Sequence, residues 1–100
     1  MLFRSKQGRI VIPLRDEHHK VVGLIGRSVL ESQKPKYKYS DKMPRASVLF
    51  NINNAKRYRE VIVTEGSLDA IKVHQAGFPN VVATLGAALS SQQKIGRAHV

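Results

Sequence analysis

Cysteine is absent from the 100 residues, which excludes a disulfide framework and any thiolate zinc site within this stretch. Long apolar runs are also missing. The longest, such as Val61-Ile62-Val63 and Val81-Val82-Ala83, are far too short to span a bilayer. No charged leader followed by an apolar stretch and a small-residue cleavage site opens the chain, so secretion is not indicated. The expectation is a cytoplasmic protein with no membrane attachment. Acids are scarce, seven Asp and Glu against seventeen Lys and Arg, for a formal net charge of +10. The shortage is uneven: residues 1–60 carry fourteen Lys and Arg against five acids, residues 61–100 three against two. Such asymmetry points to a basic surface that meets a polyanion, nucleic acid first and acidic membrane second. A merely solvated basic face is the alternative.

What is present reads as globular. Hydrophobic residues make up 42% and charged residues 24%, near the averages for folded domains. A chain of this length amounts to one domain at most, able to bury roughly 60–70% of its unfolded surface. In the first half, Arg9–Leu14 and Lys20–Arg27 are β-branched runs separated by polar Arg15–His19, which predicts a hairpin. Pro13 lacks an N–H and predicts an edge strand or a strand end. Gly23 and Gly26 suggest a bulge or a close backbone approach. Residues 31–46, with Pro35 and Pro44, read as a basic surface loop.

The second half changes rhythm. Glu60–Thr64 and Asn80–Thr84 are short apolar strands. Between them, Ser67 is positioned to cap a helix with apolar positions Leu68, Ile71 and Val73, ended by Gly77. Strand, helix and strand within about 25 residues predict a βαβ unit with a parallel pair buried on both faces. Ser90 looks like the start of a further helix. The last residues, Ile95–Val100, match the peptide obtained when a widely used sequencing adapter is translated in frame; the natural sequence is expected to stop near Gln93.

Two constellations carry chemistry. Glu65 falls at the carboxyl end of the first of these strands, before a glycine turn, and Asp69 in the first turn of the following helix. Ligands bind at the carboxyl ends of strands in open α/β sheets, so both carboxylates can meet in one crevice. Two hard oxygen donors suit Mg2+, which takes one or two carboxylates and keeps other positions for water and phosphate. For Asp69 the helix dipole is a sufficient structural reason; Glu65 has no such reason. The second constellation is Arg9, Arg27, Lys34, Lys36 and Lys38 with Tyr37 and Tyr39 interleaved. Alternating cations and rings fit single-stranded nucleic acid, the cations on phosphates and the rings on bases; a solvent-facing loop fits the same composition. His18-His19 has no matched second pair for a metal, and His74 reads as a surface or boundary residue.

At this point the residues resemble a known family. Val61-Ile62-Val63-Thr64-Glu65-Gly66-Ser67-Leu68-Asp69-Ala70 resembles the first motif of the Toprim (topoisomerase–primase) domain, and Ala76–Gly86 continues like that domain in bacterial and phage DNA primases. Gly8–Asp16, Val21–Arg27 and Pro35-Lys36-Tyr37 resemble the basic subdomain that precedes it. The resemblance covers about residues 3–93, through four ordered motifs. It implies an α/β chain with an α+β N-terminal part: a basic β-rich subdomain over 1–59, then the first strand–helix–strand of a Rossmann-like Toprim domain over 60–93, with 94–100 as the adapter-derived tail.

The implied activity is that of a primase, a nucleotidyltransferase that synthesises RNA primers on single-stranded DNA from ribonucleoside triphosphates. Its cofactor would be Mg2+ or Mn2+, with zinc confined to a module outside this stretch, and the whole protein would partner a replicative helicase. Glu65 would then be the catalytic acid at the metal, Asp69 would join the metal and nucleotide site, and Arg9, Arg27 and Lys36 would contact template or nucleotide phosphates. The family's aspartate-x-aspartate motif is absent, so the chain alone is expected to be inactive. Tyr39-Ser40-Asp41 replaces the asparagine-serine-proline that often follows the lysine-tyrosine pair, which places the chain nearer phage or mobile-element versions. Another Toprim enzyme, nuclease or topoisomerase, and a noncatalytic nucleic-acid-binding Toprim module are the rival readings.

Overall fold

The computed structural model describes residues 3–4 and 8–87. These residues group into two compact units: those up to Leu14 together with Val21–Met43, and Arg15–Lys20 together with the residues from Pro44 onward. The expected helix from Ser90 and the tail over 94–100 lie outside the described residues.

The first unit is built on a four-stranded sheet in the order β1 (Phe3–Arg4), β2 (Ile10–Arg15), β3 (Val21–Arg27) and β4 (Tyr37–Tyr39). The two apolar β-branched runs become neighbouring strands, as their composition dictates. Ile12, Leu14 and Ile25 are buried between 0 and 2% exposed and form the core of this unit. Pro13 lies inside β2, not at its end. It is tolerated because β1 is only two residues long and pairs with Ile10 and Val11; beyond that pairing, no described strand needs a donor from Pro13 on this side. The stretch expected to be loop over 31–46 contains a strand. β4 pairs antiparallel with β3 in the register Ile25↔Tyr39, Gly26↔Lys38, Arg27↔Tyr37. A three-residue strand has little local signature, and this one exists through its non-local partner. Gly26 is a close-approach glycine: a Cβ there would stand 3.3 Å from Cδ of Arg9.

The turn joining β2 to β3 belongs to the second unit. Asp16 organises it. Its Oδ1 accepts from the backbone N–H groups of His18 (2.8 Å) and Lys20 (3.0 Å), while its own N–H donates to Lys20 O at 2.9 Å. Within the second unit this turn meets the helix α1 (Ile52–Ala55): Lys56 Nζ donates to Glu17 O, and Asn53 Nδ2 lies 3.2 Å from His19 Nδ1.

The remainder of the second unit is the expected strand–helix–strand. β5 (Ile62–Thr64) and β6 (Val81–Ala83) pair in parallel, Ile62↔Val81 through Thr64↔Ala83, joined by α2 (Ser67–Gln75). All three residues of β6 are fully buried because it is flanked on both sides. Opposite β5, Phe50 exchanges hydrogen bonds with Ala83 (2.9 and 3.2 Å), and Asn51 Nδ2 donates to Val81 O (2.9 Å). Leu49, Ile52, Ala55, Val61 and Val82 form the adjoining core. α2 ends where its glycine predicts: Ala76 caps it and Gly77 follows at φ 105°, a left-handed position that favours glycine. Its start differs from expectation. Gly66, extended at φ −104° and ψ 153°, occupies the N-cap, and Ser67 is the first helical residue. Ser67 is 0% exposed, and its Oγ has no hydrogen-bond partner among the described residues. It caps nothing.

Candidate functional sites

The carboxyl ends of β5 and β6 are adjacent and tied together. Beyond the last paired residues the ladder continues, with Thr84 N–H donating to Thr64 O (3.0 Å) and Leu85 N–H to Glu65 O (2.8 Å). Thr64 Oγ1 adds hydrogen bonds to Val82 O (3.0 Å) and Gly66 O (3.3 Å). The backbone that presents Glu65 is therefore fixed by main-chain pairing with the neighbouring strand end, while its side chain is exposed. Asp69 is also exposed, in the first turn of α2, where its charge complements the positive helix end.

Oxygen donors of this kind fit a hard divalent cation that keeps water and phosphate among its ligands. Among the described residues no three His, Cys, Asp or Glu gather to hold a metal ion.

Sequence reasoning missed a third group here. Arg45 Nη1 donates to Leu85 O at 3.0 Å, which brings a guanidinium to the end of β6. Leu85 and Gly86 turn the chain at φ 57° and 83°. No local pattern around Arg45 announces this contact, which spans forty residues of sequence.

The second constellation lies in the first unit. Arg27, Ser28, Val29, Leu30, Glu31, Gln33, Lys34 and Lys36 line an open cavity of about 440 Å³. The loop that shapes it is internally braced: Ser28 N–H donates to Lys36 O (2.8 Å), Val29 N–H to Gln33 Oε1 (3.2 Å) and Gln33 N–H to Leu30 O (3.0 Å). Arg27 is half-buried; its Nη1 donates to Ser28 Oγ (3.0 Å), and its guanidinium carbon sits 5.1 Å from the Tyr37 ring centroid. Its Nε is buried with no hydrogen-bond partner among the described residues, a donor unspent on protein. Lys34 and Lys36 are exposed. Arg9, expected beside them, is only 3% exposed, its stem packed over Gly26. Of the five basic residues singled out from sequence, the cavity gathers Arg27, Lys34 and Lys36. No described helix is long and apolar enough to cross a membrane.

Comparison with known proteins agrees with this architecture. Residues 59–100 match the Toprim domain family. A DNA primase of Helicobacter pylori is 42% identical over 91 residues, covering 82% of this chain and 16% of that protein. The Aquifex aeolicus primase structure, comprising zinc-binding and RNA polymerase domains, superposes with a TM-score of 0.74 at 33% identity, over 92% of this chain and 27% of that one. A DnaG primase catalytic domain solved bound to single-stranded DNA gives 0.73 at 28% identity, over 93% of this chain and 34% of that one. The chain spans about 16% of the length of the curated primases it matches.

Proposed function

Because this chain belongs to the catalytic core of DnaG-type DNA primases and carries Toprim sequence from residue 59 onward, we propose that it supplies part of a cytoplasmic machine that polymerises ribonucleoside triphosphates into RNA primers on single-stranded DNA. The observation that carries this reading is the pairing at the carboxyl ends of β5 and β6, where an exposed carboxylate follows one strand and a guanidinium is tethered to the other.

Glu65 and Asp69 hold Mg2+ or Mn2+. A bound divalent cation would neutralise phosphate charge and favour the in-line displacement of phosphoryl transfer. Phosphoryl chemistry requires mainly positioning and charge compensation, and this chain's residues are suited to both. Glu65 is presented on a hydrogen-bonded strand end, and Arg45 offers a fixed cation to a nucleotide phosphate. In the first unit, Arg27 and Lys36 meet backbone phosphates, with Arg9 adding its positive field from beneath. Residues 1–59 act as the basic subdomain and 60–93 as the opening of the Toprim domain. The further acidic motif, the zinc module and the helicase contact belong to the rest of a whole primase.

The test uses a whole primase carrying this segment. Glu65→Gln keeps size and hydrogen bonding but removes the charge, so primer synthesis should collapse while single-stranded DNA binding survives. Asp69→Asn should show a milder loss. Normal primer synthesis by Glu65→Gln would replace this reading with that of a noncatalytic binding module.

A further inference from the structure

Thr64 is the last residue of β5 and is half-buried. Its Oγ1 reaches Val82 O on the neighbouring strand at 3.0 Å and Gly66 O, two residues onward, at 3.3 Å. A hydroxyl carries a single proton, which is shared between the two carbonyls. Each acceptor bears on a candidate carboxylate. Val82 is the middle residue of β6, all of which is buried, so the first bond ties the end of β5 to the core. Glu65 stands between Thr64 and Gly66, enclosed in the short loop that the second bond closes. Gly66 O also accepts the Ala70 N–H at 3.1 Å, the hydrogen bond with which α2 begins. The same hydroxyl is thereby linked to the helix turn that carries Asp69. Among the described residues α2 has no side-chain cap, which leaves the Gly66 carbonyl as the anchor of its start. The strand itself does not call for a hydroxyl here: valine would continue Ile62-Val63 with the same branched shape and β preference.

We infer that Thr64 is a positioning residue for the divalent cation: its hydroxyl fastens the Glu65 turn to β6 and to the start of α2, so the two carboxylates are held in one arrangement before the metal arrives. The inference rests on the reading above, in which Glu65 and Asp69 hold Mg2+ or Mn2+, and adds a residue that touches neither metal nor substrate. The Glu65 and Asp69 side chains are exposed and keep their rotamer freedom. What the protein can set in advance is the separation and direction of the two backbone segments that bear them. Any backbone freedom left at this turn would be lost on binding and would weaken the site. Mg2+ demands near-ideal octahedral geometry, which makes it sensitive to such looseness. Groups that orient metal ligands from behind are worth about 10–100-fold in affinity.

The experiment titrates Mn2+ into the isotope-labelled 100-residue chain and reads the midpoint of paramagnetic broadening at Glu65 and Asp69, with a thermal melt of each variant alongside. Thr64→Val removes the hydroxyl and keeps the branched shape, whereas Thr64→Ser keeps the hydroxyl and loses the methyl group. The midpoint should rise by about tenfold or more in Thr64→Val and return to the wild-type value in Thr64→Ser, with the cooperative melt retained in both. Wild-type broadening centred away from Glu65 and Asp69 overturns the metal reading and this inference together. Wild-type broadening at both residues, with an unchanged midpoint in Thr64→Val, overturns the inference alone and leaves the metal reading standing. A raised midpoint that Thr64→Ser does not restore gives the role to the methyl group and overturns the inference as well. So does a Thr64→Val chain that no longer melts cooperatively, since the hydroxyl would then be a requirement of the fold.

Discussion

Replacing Ser67 with alanine should stabilise the protein, and the sign of that change separates two accounts of α2. The hydroxyl is fully buried and finds no hydrogen-bond partner among the described residues. An unsatisfied buried polar group carries a desolvation penalty of about 1–3 kcal/mol, and the substitution removes it. Alanine adds up to about 0.5 kcal/mol of helix propensity over serine. Against these gains stands the small void left by one oxygen atom, so the net expectation is about 1–2 kcal/mol of added stability. For a protein of this size each kcal/mol raises Tm by roughly 4–8 °C, well within the resolution of a circular-dichroism melt. If Ser67 were instead the N-cap, losing its side-chain bond to the first turn would reduce stability by about 1 kcal/mol and lower Tm by a similar amount. A lower Tm for Ser67→Ala would therefore refute the buried-orphan description and restore the capping one.

Two other substitutions test the electrostatics. Lys36→Ala should weaken single-stranded DNA binding uniformly across sequences and reduce the slope of log affinity against log salt by about one unit, one phosphate contact fewer; an unchanged slope would remove Lys36 from the phosphate surface. The Asp16 carboxyl lies below its usual value of 3.8: desolvation raises it, but the Lys20 and His18 backbone N–H groups, with the charges of His18 and Lys20, more than offset that rise. Because the folded value is the depressed one, this stabilisation is present above 3.8 and fades as pH falls through the lower folded value. Asp16→Asn should thus flatten that part of the acid limb of a Tm-against-pH profile, and an unchanged acid limb would contradict the assignment.

The strand–helix–strand was legible because Val61–Val63 and Val81–Ala83 are apolar runs bracketing a helical segment with a glycine stop, all of it local information. The β2–β3 hairpin was legible for the same reason, its turn marked by Asp16. β4 was not, since Tyr37-Lys38-Tyr39 sits between prolines in a polar stretch and becomes a strand only by pairing with Ile25–Arg27. The one-turn α1 escaped likewise: Asn51, at φ 70°, is set by its side-chain bond to Val81, thirty residues away. Ser67 misled because a capping serine and a buried first-turn serine share one sequence pattern; the extended Gly66 decides between them. Of the proposed site residues, Glu65, Asp69, Arg27 and Lys36 were singled out by residue type beside strand ends and loops, as was Arg9, which is buried. Arg45 was invisible because its role lies wholly in a tertiary contact.

The central claim is that Glu65 and Asp69 hold a divalent cation at the carboxyl end of β5. Paramagnetic Mn2+ titrated into the isotope-labelled chain tests this directly, since it broadens the NMR signals of nuclei near its binding site. The account predicts selective broadening of Glu65 through Asp69 at low Mn2+, reversed by excess Mg2+ and strongly reduced in Glu65→Gln. Broadening that is centred elsewhere, or that persists undiminished in Glu65→Gln, would contradict it.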